Sequence, residues 1–189
     1  ECIRPLVVFD IGCGAGGTLI PFIESSWSAF GCDLGTEYLE RGRKDGLNLV
    51  QGDILALKKY GPANLVILSH IIEHLPDPLN SLKQIFESLT ENGYVYVELP
   101  GVFRIHQTYG DTMLFLQNAH LYHFTLTTLT SLMSMAGFRL IIGNENICAL
   151  FQKDRTTLSV STAGEYQRVL TYLYFAELAR ICHLNFFIY

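Results

Sequence analysis

The junction at residues 6–17 constrains this chain most tightly. There an apolar run, Leu6-Val7-Val8-Phe9, closes on Asp10 and empties into Ile11-Gly12-Cys13-Gly14-Ala15-Gly16-Gly17. A strand that is apolar at every position has both faces covered, which is the situation of a parallel strand inside an α/β layer structure. Glycines at its end let the backbone turn sharply without a Cβ in the way. A helical pattern then runs over about Gly17–Ser25, with Pro21 near its first turn, where a missing N–H costs little.

The same alternation continues along the chain. Ser28–Asp33, Leu47–Gln51, Asn64–Ser69 and Tyr94–Leu99 read as strands, and Thr36–Lys44 as a polar helix between the first two of them. Asp77-Pro78 offers an N-cap and a first-turn proline to a helix carrying Leu79, Leu82, Ile85, Phe86 and Leu89, with Asn92-Gly93 as its expected stop. Residues 100–119 show no clear period. Thr125 starts another expected helix (Leu129, Leu132, Met133 and Ala136 on one face, Gly137 as the stop), and Phe138–Ile142 and Ile147–Gln152 form an antiparallel hairpin. Seven strands with helical crossovers predict a doubly wound, mostly parallel seven-stranded α/β sheet ending in an antiparallel hairpin. Ligands in such sheets bind beyond the carboxyl ends of the strands, which directs attention to Asp10, Asp33, Gln51, Ser69 and Leu99.

Composition removes other classes. With 49% hydrophobic and 16% charged residues the chain is globular rather than disordered. A net charge of −5 gives no basic face for nucleic acid, and the small groups of lysine and arginine read as solvated surface. Cys2, Cys13, Cys32, Cys148 and Cys182 are odd in number and contain no Cys-x-x-Cys, so they read as buried reduced thiols of a cytoplasmic protein. Neither a signal peptide nor an uncharged apolar span is visible. The histidines and carboxylates show no metal-ligand spacing along the sequence, so no metal is expected.

The glycine loop has two readings. As Gly12, Gly14, Gly17 with Asp33 beyond, it is a dinucleotide fingerprint. As Asp10, Gly12, Gly14, Gly16, it suits another nucleoside cofactor. The later segments bear on the choice, because Asp10, Asp33 and Asp53 each fall at or just after the end of a successive strand. In VVFDIGCGAGG (7–17), FGCDLGTEYLERGR (30–43), LVQGDI (49–54), LVILSHIIEHLPDP (65–78) and YVYVELPG (94–101), the chain resembles the class I S-adenosylmethionine-dependent methyltransferases of the small-molecule branch. A weaker match, AHLYHFTLTTL followed by MAGF, extends the likeness towards the hairpin.

The resemblance implies a Rossmann-like fold, S-adenosyl-L-methionine as cofactor and a small-molecule acceptor. It places Gly12, Gly14 and Gly16 beside the methionine and ribose, and Asp10 towards the cofactor's ammonium group. Asp33 would receive both ribose hydroxyls, a task suited to a carboxylate with its several lone pairs. Asp53 and the Ile54 amide would meet the adenine amino edge and Leu34 the adenine face, while Ser69 and His70 would contact the methionyl end. For Asp53, a turn-forming role stands beside the binding role.

Methyl transfer to oxygen or carbon also needs a proton removed, and histidine suits that task near neutrality. His106, His120 and His123 follow the fifth strand, on the ligand side of the sheet. His120-Leu121-Tyr122-His123 loosely resembles the sugar C-methyltransferases, which makes His120 and His123 the candidate bases, with helix anchoring the alternative for each. Tyr109 and Tyr122 are candidates for lining the acceptor pocket, and His74 in Glu73-His74-Leu75-Pro76 is expected to be structural or to line the cofactor pocket.

A Rossmann-type oxidoreductase using NAD(P) would explain the glycines and Asp33 but not Asp53 or residues 65–78. A nucleic-acid amino-methyltransferase would carry Asn/Asp-Pro-Pro-Tyr where Ser69-His70-Ile71-Ile72 stands. A degenerate fold kept for assembly is opposed by the intact loop and acids. The domain is expected over 1–158, with sequence missing before Glu1. An apolar helix over 159–189, started by Ser161, Thr162 and Glu165, is expected to be largely buried against the domain or in a homodimer. Its Glu177, Arg180 and His183 argue against membrane insertion.

Overall fold

In the computed structural model, which describes residues 5–105, 115–116, 119–156 and 159–182, seven strands form one sheet. They are β1 (Val7–Ile11), β2 (Ser28–Asp33), β3 (Leu49–Gln51), β4 (Ala63–Ser69), β5 (Leu89–Glu98), β6 (Phe138–Gly143) and β7 (Cys148–Lys153). The order is β3-β2-β1-β4-β5-β7-β6. All pairings among β1 to β5 are parallel, whereas β7 runs antiparallel to β5 and to β6. The expected sheet and its hairpin are both present, and it is the second hairpin strand that joins the parallel part. Strand order reverses between β1 and β4, and there the loops leaving neighbouring strands diverge to opposite faces and open a crevice.

The continuous apolar character of β1 has a direct explanation. Val8 points into a cluster with Leu19, Ala29, Leu39, Leu49 and Ile67. Its neighbour Phe9 points the other way, among Val66, Leu68, Leu82, Ile85 and Val97. Side chains alternate along a strand, so a strand covered on both faces needs apolar residues at every step. Phe9 is fully buried and meets Phe30 edge-on at 6.2 Å between ring centres.

The helices bounded within the described residues are α1 (Ile20–Glu24), α2 (Thr36–Lys44), α3 (Pro78–Glu87), α4 (Leu126–Met135) and α5 (Glu165–Ile181). Asp77 caps α3 by accepting the Asn80 N–H at 3.0 Å. Thr125 and Thr128 close a reciprocal capping box on α4. Gly137, at φ +93°, ends that helix beside the Phe86 ring, which leaves no room for a Cβ.

Several expectations need correction. The helix expected from Gly17 is split, with a 3₁₀ turn over Gly17–Leu19 and a short α-helix in which Pro21 occupies the first turn. Asn92-Gly93 does not stop α3. The helix ends at Glu87, and Leu89, 3% exposed, already pairs with Ala63 as the start of β5. The residues between Leu89 and Tyr94 are absorbed by a register shift opposite Ala63 and Leu65, so the Asn-Gly pair marks a bulge. Helix α5 starts behind Gly164, which takes a left-handed conformation, and Ser161 accepts only the nearby Ala163 N–H.

One face of α5 lays Tyr172 and Ala176 on Val102, Ile105 and Phe115, while Tyr166, Leu170, Tyr174 and Phe175 stay exposed, so the helix is not largely buried within this chain. Among the described residues no helix is long and apolar enough to cross a membrane. Of the four described thiols, all free, only Cys32 is buried. Cys13 and Cys148 are half-buried and Cys182 is exposed, which corrects the expectation of buried thiols. Cys2, His106, Tyr109 and His183 lie outside the described residues.

Candidate active site

The loop after β1 is built by backbone geometry. Gly12, Gly14 and Gly16 have φ of +73°, +53° and +80°, a region in which side chains with a Cβ are strained. At Gly12 a Cβ would also collide with Ile71, 2.0 Å from its Cδ1. At Gly14 a Cβ would meet nothing within 4 Å, so the loop presents bare backbone to open space. Its other flank is held by α2, where Gly42 lets the helix approach the Ala15 carbonyl so closely that a Cβ would lie 2.2 Å from the oxygen. Gly42→Ala is therefore expected to destabilise the chain by about 1–3 kcal/mol in thermal unfolding, despite alanine's better helix propensity, because backbone must move.

Asp33 closes β2 and ties this loop to the next. Its Oδ2 accepts the Gly14 N–H at 2.9 Å and its Oδ1 the Gly35 N–H at 2.8 Å. A carboxylate has about four lone-pair sites, so one remains on each oxygen for a diol. Leu34, the next residue, is 76% exposed, an unusual position for a leucine. Asp53 accepts the Leu55 N–H at 2.9 Å and caps the 3₁₀ segment Ile54–Tyr60, so its turn-forming role is realised. The Ile54 side chain belongs to the core, which leaves its backbone as the part that could meet a ligand.

Asp10 is 2% exposed, and burial raises its pKa to about 7. A hydrogen bond from Thr18 works in the opposite direction, and the Asp33 charge adds to the rise. Ser69 donates to Glu98 Oε2 at 3.5 Å. His70 has φ +55°, and its backbone N–H reaches the Glu98 carbonyl at 2.8 Å, which fixes the turn at the end of β4.

Past β4 and β5 lies a cavity of about 410 Å³ bounded by His70, Glu98, Gly101, Arg104, Phe115 and Asn146, among others. Ile105 and Phe115 belong both to its wall and to the cluster that seats α5, so that helix backs the cavity. His120 and His123 stand next to each other, 5.7 Å between ring centres, and His123 lies 4.9 Å from Phe115. Burial lowers the pKa of both. The neighbouring charge of Glu73 opposes this at His120, and His120 adds to it at His123. Tyr122 donates to the Pro76 carbonyl at 3.3 Å, a bond that pins the segment. His74 is held by the Ala119 carbonyl at 2.8 Å. Arg104 and Asn146 had no signal in the sequence, because single polar residues in irregular stretches carry no period.

A family model described as a methyltransferase domain matches residues 1–141. The chain belongs to the methyltransferase-domain family. Over 95 residues this methyltransferase-domain chain is 30% identical to a trans-aconitate 2-methyltransferase of Rhizobium etli, in a match that covers 48% of the chain and 37% of that relative. The chain thus spans well under half the length of the curated relative. Among solved structures it resembles an S-adenosylmethionine-dependent methyltransferase from Archaeoglobus fulgidus (21% identity, 94% and 80% of the two chains, TM-score 0.60). It also resembles the magnesium protoporphyrin IX methyltransferase of Synechocystis solved with bound S-adenosylhomocysteine (13% identity, 81% and 76%, TM-score 0.61). At these identities the likeness concerns the fold, which is that of S-adenosylmethionine-dependent methyltransferases.

Proposed function

We propose that this chain transfers a methyl group from S-adenosylmethionine to an oxygen or carbon of a small polar metabolite. The observation that carries the reading is the arrangement of Asp33, Gly14 and Leu34 at the ends of β1 and β2. It offers a pinned carboxylate with spare lone pairs, bare backbone and an exposed apolar side chain, which match a ribose diol, a close-approaching chain and an adenine face. The cofactor supplies an activated methyl on a sulfonium, so the protein need only orient the acceptor, exclude water and manage a proton.

In this reading Asp10 faces the ammonium of the cofactor, and Asp53 and the Ile54 amide meet the adenine edge. Ser69 and His70 hold the methionyl end where the cavity begins. His120 and His123 stand as candidate bases, both kept neutral by burial and so able to accept a proton. The relative named for trans-aconitate puts aconitates among the candidate acceptors. A homodimer through the exposed face of α5 is tested by light scattering.

Calorimetric titration with S-adenosylhomocysteine, with NADH in parallel, tests the cofactor. Micromolar binding of the first and none of the second is the expected result, and NADH binding alone would sink the reading. Nucleotide sugars and aconitates then form the first acceptor panel. With a hydroxyl or carbon acceptor, His123→Ala should lower kcat by about 10²–10⁴-fold and leave S-adenosylhomocysteine affinity unchanged. With a carboxylate acceptor, which has no proton to lose, the same variant should keep its rate.

A further inference from the structure

Glu73 is the side chain that the proposed chemistry leaves unexplained. It is 1% exposed, and neither carboxylate oxygen has a hydrogen-bond partner among the described residues. A buried carboxylate without a partner costs several kcal/mol, so folded chains place a counter-charge beside it. Around this one the chain gathers histidines. His70 Nδ1 lies 3.5 Å and His74 Nε2 3.9 Å from Oε1, and a ring nitrogen of His120 falls within 4.8 Å of both the carboxylate and His74. The His120 segment is tied to the same spot, because the Leu121 and Tyr122 N–H groups donate to the Glu73 carbonyl.

The tautomer of His74 sharpens the anomaly. Its Nδ1 stands 2.8 Å from the Ala119 carbonyl, which can only accept, so Nδ1 carries the proton. In the neutral ring Nε2 is then a lone pair on the side of Glu73. An acceptor nitrogen and an acceptor carboxylate at that separation repel each other unless a proton, a water donating to both or a cation lies between them, and a cation satisfies both acceptors at once. A ring N–H donated to a backbone carbonyl is also how proteins orient a histidine that ligates a metal.

We propose that Glu73, His74 and His120 form a site for a divalent cation of the zinc class. Two imidazole nitrogens and one carboxylate oxygen suit late first-row divalent ions rather than magnesium or calcium, which prefer all-oxygen shells. Bonds of roughly 2.0 Å place tetrahedral ligands roughly 3.3 Å apart, so the three donors must draw together by about an ångström. The His74 side chain is 41% exposed and His120 is half-buried, so both rings can make that shift. His70, whose Nδ1 lies 3.5 Å from the same carboxylate, also borders the cavity. If the methyl-transfer reading holds, His120 is occupied as a ligand and His123 is left as the base. The metal site itself stands without that reading.

The test is titration of chelator-treated protein with cobalt(II), followed by competition with zinc(II). The expected result is one equivalent of cobalt with visible d–d absorption, displacement by zinc at micromolar or lower concentration, and a higher Tm with zinc. Glu73→Gln and His120→Ala should each weaken zinc binding by about tenfold or more and abolish the Tm shift. Because Glu73 is buried, His120→Ala decides the matter, provided that its metal-free Tm stays near that of the wild type. His74→Gln, on an exposed ring, decides it if that variant unfolds. Absence of a stoichiometric cobalt site, or a deciding variant that binds zinc as tightly as the wild type, overturns the proposal. Failure of S-adenosylhomocysteine to bind would instead bear on the methyl-transfer reading alone.

Discussion

Replacing Asp10 by Asn is expected to stabilise the cofactor-free chain by about 2–4 kcal/mol at pH 8 and to weaken S-adenosylhomocysteine binding at the same pH. In the native chain Asp10 titrates near 7, against 3.8 for an ordinary aspartate, chiefly because burial disfavours its charge. Between those two values the native state holds a proton that the unfolded state has released. Stability therefore falls as pH climbs through that window, and the whole cost is present above pH 7. Asparagine keeps the shape and an acceptor for Thr18 but has no charge to bury. Denaturant unfolding at pH 4 and pH 8 checks this. The gain from Asp10→Asn should be small at the lower pH and large at the higher, and equal gains at both would contradict the assignment. Binding should show the converse. A carboxylate that pairs with an ammonium must first lose its proton, so wild-type affinity should rise about tenfold per unit up to pH 7 and then level off. The variant should show neither the rise nor the proton release.

The second large effect belongs to Asp33→Ala, which is expected to lose S-adenosylhomocysteine affinity by at least about 100-fold. Two charge-assisted hydrogen bonds to a diol contribute roughly 1.5–3 kcal/mol each. The variant also frees the Gly14 and Gly35 N–H groups that the carboxylate now holds at 2.9 and 2.8 Å, so the loop loses its preorganisation. Stability should change far less, by about 1 kcal/mol, because water can replace the carboxylate at this half-exposed position. Titration calorimetry beside a thermal melt separates the two quantities. An unchanged affinity would remove Asp33 from the cofactor site.

The parts of the fold legible in the sequence share one property, that their determinants are local. The apolar run at Val7–Phe9, the glycines that follow and the caps at Asp77 and Thr125 act within a few residues, and each element formed where its signal stands. The candidate cofactor loop is legible for the same reason, since Asp10 and the three glycines alternate within the short stretch Asp10–Gly16 and Asp33 ends the neighbouring strand. The misjudged end of α3 has an equally local cause. Leu89 fits the apolar face of a helix and the inside of a strand equally well, and pairing with Ala63 decided between them.

The sequence by itself therefore determined the elements, the class of sheet and the loop that points to a nucleoside cofactor, because these follow from hydrophobic period and backbone freedom over short spans. Tertiary structure alone decided that β7 rather than β6 lies against β5, that α5 backs the cavity wall, and that Arg104 and Asn146 reach that cavity. It also brought His120 to Glu73 and His74, across a stretch of chain in which no ligand spacing could be read. Such encounters depend on how whole layers pack, and the burial that drives packing is non-directional and leaves no periodic trace in the order of the residues.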